Sequence, residues 1–176
     1  MKADPTLPPV SLGCAVLTVS DHRTPEDDGT GDYLCDSLRA AGHVAQARTI
    51  CRDDLYQIRK VLSDWIADPS IQAIITNGGT GFSHHKSTVA AVSPLLDQTI
   101  PGFGELFRHL SWQAIGSSAL QSEALAGLAN DTLVFCLPGS TRACRLAWDS
   151  ILREQLDSRH RPCNFAGVYR TSVQGG

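Results

Sequence analysis

An α/β chain, folded as a three-layer α/β/α sandwich with a mostly parallel central sheet, is predicted from two observations. Short continuous apolar runs of strand length, CAVLTVS (14–20), IQAIIT (71–76) and TLVFCL (132–137), alternate with segments whose apolar residues recur at helical spacing. Each run ends in a polar or glycine-bearing turn: SD, NGGTG and PGS. Strands alternating with helices give a sheet covered on both faces, in which ligands bind beyond the carboxyl ends of the strands. The three turns are therefore expected to face one crevice.

The elements follow in order. Residues 1–9 hold Pro5, Pro8 and Pro9 and little that packs, so they read as an N-terminal arm, flexible or strapped down. A single domain is expected over 10–170, with 171–176 as a tail. CAVLTVS is the first strand; after the loop SDHRTPEDDGTG, Leu34, Leu38 and Ala41 share a helical face that Gly42 terminates. HVAQARTIC alternates as a second, more exposed strand. Leu55, Ile58, Leu62, Trp65 and Ile66 form the next helical stripe, which Asp53 and Asp54 open. Carboxylates at a helix start gain about 0.3–1 kcal/mol each from the dipole, so capping competes with any chemical role for this pair.

IQAIIT delivers the chain into NGGTG. STVAAVSPLLD, with Pro94, predicts a short or kinked helix, and GFGELFRHLSW another. SSALQSEALAGLAN places Leu120, Ala124 and Leu128 at four-residue steps and predicts a further helix closed by Asn130. TLVFCL is the last strand. In TRACRLAWDSILREQL, the residues Cys144, Ala147, Trp148, Ile151 and Leu152 make one core-facing stripe.

Composition excludes several classes of function. A chain of 176 residues with a formal net charge of −3 and no run of five or more like charges carries no footprint for nucleic acid and no polybasic membrane patch. No apolar stretch approaches the roughly 18 residues of a membrane span, and MKADPTLPPVS has neither an apolar core nor an Arg-rich amphipathic pattern, so a cytoplasmic protein is expected. Six cysteines are scattered without a C-x-x-C pair and read as buried thiols. His84 and His85 have no cysteine at zinc-ligand spacing.

The chemistry concentrates in the turns. Gly78, Gly79 and Gly81 permit positive φ and close backbone approach, and Thr80 adds a hydroxyl, so this loop can aim amides at a phosphate-like anion. A tight strand-to-helix turn without a ligand accounts for the same glycines. In PGS, Pro138 stiffens the turn, Gly139 lets the chain come close, and Ser140 either caps a helix or shares its amides with a phosphate. TGFSHHKS is not a P-loop, because Thr80 and His85 stand where that motif requires glycine. Neither G-x-G-x-x-G nor G-x-S-x-G occurs in the expected context.

Taken together, VSD (19–21), RDDLYQIR (52–59), TNGGTG (76–81), PGFGELFR (101–108), LQSEALAG (120–127) and PGSTRACRLAW (138–148) resemble the molybdenum cofactor biosynthesis protein B (MoaB) family and its MogA-like molybdopterin adenylyltransferase relatives. The likeness runs from about Val16 to Phe165, and RPCNF (161–165) is closer to the protein B branch. It implies a homotrimer or homohexamer that binds molybdopterin. In active members it also implies AMP transfer from ATP to molybdopterin with Mg2+ as cofactor.

Carried over by position, the resemblance makes Asp53 the catalytic, metal-binding carboxylate. It puts Ser20, Asp21, Gly78, Gly79, Thr80, Gly81, Glu105, Ser122, Pro138, Gly139 and Ser140 around the substrate. Two departures stand out. Lys86 and Val89 replace the Asp and Pro of the pattern that follows the glycine loop, and Glu123 replaces an Arg after Ser122. Lys86, with His84 and His85, is either an exposed helix start or, as a point charge, a direct phosphate contact. Glu123 is expected to weaken anion binding unless it turns away. Two functions stay open: an adenylyltransferase, intact or weakened, and a non-catalytic oligomeric module that binds molybdopterin or a pathway partner.

Overall fold

The computed structural model describes residues 3–82 and 86–169. His84 and His85 lie outside the described residues. Six strands form one sheet in the order β2-β1-β3-β6-β5-β4: β1 (Gly13–Val19), β2 (Val44–Cys51), β3 (Ala73–Gly78), β4 (Gln98–Thr99), β5 (Leu125–Ala129) and β6 (Thr132–Leu137). The pairs β1/β2, β1/β3 and β3/β6 are parallel, while β5 runs antiparallel to both β6 and β4. The predicted class and its mostly parallel sheet are what the chain adopts.

Strand alternation builds two cores. Cys14 and Val16 of β1, Ala73 and Ile75 of β3, and Leu133, Phe135 and Leu137 of β6 face one side. There they meet α1 (Gly29–Ala40), α4 (Pro101–Ile115) and α5 (Thr141–Ala147), whose helical run continues through a π-helical segment, Trp148–Leu152, and Arg153–Gln155. The intervening Ala15, Leu17, Val19, Ile74, Val134 and Cys136 face the other side, against Ile58 and Leu62 of α2 (Leu55–Ile66) and Ala91 and Val92 of α3 (Thr88–Val92). Because the side-chain period of a strand is two, continuous apolar runs are what a sheet buried on both faces requires.

The helix expected over SSALQSEALAGLAN does not form. Gly116–Gln121 is a 3-10 segment and Leu125–Ala129 is strand β5. The reason is the turn that follows: Asn130 (φ 45°) and Asp131 (φ 62°) both take left-handed backbone, the geometry of a two-residue hairpin loop, and they fold β5 back onto β6. The Asn130 amide donates to Asp97 (2.7 Å) and its side chain to the Ile66 carbonyl (3.0 Å), so this residue makes a turn rather than a helix cap. The short helix around Pro94 is Thr88–Val92 followed by a 3-10 turn, Ser93–Leu95, and the GFGE helix is longer than its pattern, starting at Pro101. At the N-terminus, Asp4 donates its amide to the Arg159 carbonyl, and Val10 donates to Ser158 (3.0 Å).

Candidate functional site

Going from β1, the chain forms β2 on one flank through α1 and then returns past β1 to form β3 on the other, with α1 and α2 on opposite faces. This reversal leaves a crevice at the carboxyl ends of β1 and β3, the place where open α/β sheets take ligands. A cavity of about 280 Å³ lies there. Ser20 and Asp21 line it from β1, Gly78, Gly79 and Thr80 from β3, Asp53 from the start of α2, and Gly139 from the turn after β6. The three turns expected to share a crevice therefore do so.

The glycine loop needs its glycines for stated reasons. Gly78 has φ 90°, and a Cβ on it would lie 2.3 Å from the Val19 carbonyl oxygen of the neighbouring strand. Gly79 has φ 62°, and its Cβ would meet the Thr88 hydroxyl at 2.1 Å. Both positions combine left-handed backbone with no room, which only glycine tolerates. Buried Thr88 ties the far end of the loop back: its hydroxyl donates to the Gly78 carbonyl and its amide to the Gly79 carbonyl, both at 2.9 Å.

The paired carboxylates before α2 divide their work. Asp54 caps the helix, accepting from the amides of Tyr56 (3.0 Å) and Gln57 (2.9 Å). Asp53 is thereby released into the cavity, where its side chain is 4 % exposed. One of its oxygens accepts from the Ser87 amide (2.9 Å), and the other pairs with Lys86 Nζ at 3.3 Å. Its own amide donates to Asp21 Oδ1 (3.2 Å). Lys86 is thus more than an exposed helix start: it is the counter-charge of a buried carboxylate.

As placed, this carboxylate does not fit a divalent cation. Among the described residues no group of three His, Cys, Asp or Glu side chains is positioned to hold a metal. An ion on the Asp53 oxygen would also face the ammonium: at an effective dielectric of ~20, a double and a single positive charge ~4 Å apart repel by roughly 8 kcal/mol, so Lys86 would have to leave.

Glu123 does not turn away from the loop. Its Oε2 accepts from the Gly81 amide at 3.3 Å, so a carboxylate of the chain occupies one amide of the loop expected to meet an anion, and Gly81, unlike Gly78, Gly79 and Thr80, does not line the cavity. No described residue accepts from the amides of Gly79 and Thr80.

Beneath the cavity lies a polar network that no local sequence pattern marks as a unit. Asp28, fully buried, accepts from the Thr18 hydroxyl (2.7 Å), the Gly31 amide (3.1 Å), Arg23 Nη1 (3.2 Å) and Arg48 Nη2 (3.0 Å). Burial raises its pKa, but these donors outweigh burial and hold the carboxyl below the usual range. Arg23 also donates to the Gly139 carbonyl (3.3 Å) and the Thr30 hydroxyl (3.0 Å), bridging the first-strand loop to the PGS turn. Asn77 donates to the Thr18 hydroxyl (2.9 Å) and the Leu17 carbonyl (3.3 Å), locking β3 to β1 beneath the cavity. The Asp-Gly start of α1 was the one available signal, since Asp28 is also its N-cap.

The remaining expected site residues lie elsewhere. Pro138, Ser140 and Ser122 line a neighbouring groove of about 410 Å³, together with Phe107, Ser111 and Arg142. Ser140 is the N-cap of α5, its hydroxyl accepting from the Ala143 amide at 3.2 Å. Glu105, exposed on α4, lines neither space.

Residues 15–158 match the family model described as "Probable molybdopterin binding domain". Molybdenum cofactor biosynthesis protein B of Escherichia coli (strain K12) is 50 % identical over 86 % of this chain and 89 % of its own length, and that of Staphylococcus carnosus is 42 % identical over 83 % and 87 %. A crystal structure of a molybdenum cofactor biosynthesis protein B superposes with a TM-score of 0.83 at 39 % identity, covering 85 % of this chain and 94 % of the other. With the crevice, the glycine loop and the sheet order all in place, the chain belongs to the molybdenum cofactor biosynthesis protein B (MoaB) family, built on the molybdopterin-binding domain.

Proposed function

We propose that this protein serves molybdenum cofactor biosynthesis by holding molybdopterin, its phosphate at the glycine loop, without efficient transfer of AMP. The observation that carries this reading is the ion pair between Lys86 and Asp53, with Glu123 on the Gly81 amide: the chain's own charges occupy the positions that metal-assisted adenylyl transfer would need. A second reading, adenylyl transfer from ATP with Mg2+, is favoured by Asp21, Asp53, Gly78, Gly79 and Thr80 lining one cavity.

Incubation of the purified protein with molybdopterin, ATP and Mg2+, followed by chromatography of the pterins, separates the two. Retained molybdopterin without adenylylated product is expected, and sustained turnover refutes the binding reading. Assembly as a homotrimer or homohexamer is part of the same proposal, supported by Leu106, Trp112, Ile115 and Leu120, large apolar side chains exposed on and just after α4. Mass measurement in solution tests it, and a monomer would refute it.

A further inference from the structure

We propose that Lys86 is a built-in substitute for a divalent cation, so that this site binds a phosphate or diphosphate group without metal; the inference rests on the anion-holding reading above and specifies its chemistry. Asp53 is a carboxylate almost wholly removed from water, and such a group demands a counter-charge. Its only ionic partner among the described residues is Lys86, at 3.3 Å, and Lys86 lines the same cavity as the loop amides.

The ammonium is tethered from both sides. Ser87, the next residue, donates its amide to the other Asp53 oxygen, so one carboxylate holds both the charge and the backbone that carries it. Lys86 remains 41 % exposed, which leaves donors free to turn toward a guest in the cavity. Arg23 faces the cavity too, but its guanidinium is engaged by Asp28, Thr30 and Gly139. His22 and Asp21 are exposed at the rim. A guest phosphate would therefore meet the amides of Gly79 and Thr80, from which no described residue accepts, on one side and the Lys86 ammonium on the other. The pair Lys86–Asp53 is neutral overall, so the guest keeps its charge unless Lys86 shifts toward it. That shift is the work a metal ion performs elsewhere by bridging carboxylate and phosphate.

The test is calorimetric titration of the intact protein with inorganic diphosphate, once in EDTA and once in millimolar Mg2+. Wild-type affinity is expected to be the same in both within about twofold, whereas Lys86→Ala should lose roughly tenfold or more in EDTA, as expected for loss of a hydrogen bond from a charged donor. Lys86→Asp should bind only when Mg2+ is present. Lys86→Met, which keeps the aliphatic stem, replaces Lys86→Ala if the latter melts early. Wild-type binding that requires Mg2+, no diphosphate binding in either buffer, or unchanged affinity of the Lys86 variants overturns the inference. A parallel titration with molybdopterin keeps the two ideas apart: binding that depends on Mg2+ sinks the cation substitution alone, and no binding in either buffer sinks the holding function as well.

Discussion

Replacing Asp28 with alanine removes the carboxylate on which β1, the first-strand loop, α1 and β2 converge. Asp28 is fully buried and receives donors from Thr18, Gly31, Arg23 and Arg48. Breaking a buried ion pair by deleting one partner costs ~3–5 kcal/mol. The two guanidinium side chains are 32 % and 29 % exposed and regain water in the variant, which places the expected loss near the lower end, ~3 kcal/mol. For a chain of this size each kcal/mol shifts the melting temperature by ~2–4 °C, so Asp28→Ala should melt ~6–12 °C lower by scanning calorimetry.

The pH dependence has a definite sign. The folded-state pKa of Asp28 is lowered, so its ionised form stabilises the fold above the unfolded-state value of ~3.9, and that contribution is lost as pH falls through the lower folded value. The wild-type advantage over Asp28→Ala should therefore be complete at neutral pH and shrink below about pH 4. A drop in melting temperature under ~2 °C at pH 7, or an advantage that grows on acidification, would refute the network as described.

Gly78→Ala places a methyl group 2.3 Å from the Val19 carbonyl at φ 90°, and a loss of at least ~2 kcal/mol is expected in urea unfolding; a neutral result would mean the loop relaxes freely. Glu123→Gln, which removes the charge lying on the Gly81 amide, should strengthen diphosphate binding several-fold in the calorimetric titration, and weaker binding would show that Glu123 organises the loop instead. Burial pushes the thiols of Cys14, Cys136 and Cys144 up to about 12 and that of Cys51 to about 11, while Cys163 is exposed. Thiol titration of the native protein near pH 8 should therefore label Cys163 first and the others only on denaturation. Equal rates for Cys136 and Cys163 would contradict the buried core.

By itself, the sequence determined the layers and the crevice. Continuous apolar runs in β1, β3 and β6 call for cover on both faces, and parallel strands direct the turns that follow them to one rim, so the apolar pattern alone groups Ser20, Asp21, the glycine loop and Gly139. Local pattern failed at SSALQSEALAGLAN, where four-residue spacing suggested helix but pairing with β6 across the Asn130–Asp131 turn made Leu125–Ala129 a strand. Strand formation there is decided by a partner, and a partner is not visible in a window of fourteen residues.

Only the tertiary structure decided what the polar residues do. Asp54 takes the helix cap and frees Asp53; Lys86 reaches back over 33 positions to pair with it; Glu123 lies on an amide 42 positions away; Arg23 bridges to Gly139 across 116. Apolar periodicity is a local property, because burial on one face repeats with the backbone. The partner of a charge depends on which distant loops the finished sheet brings within reach, and that is settled only when the fold closes.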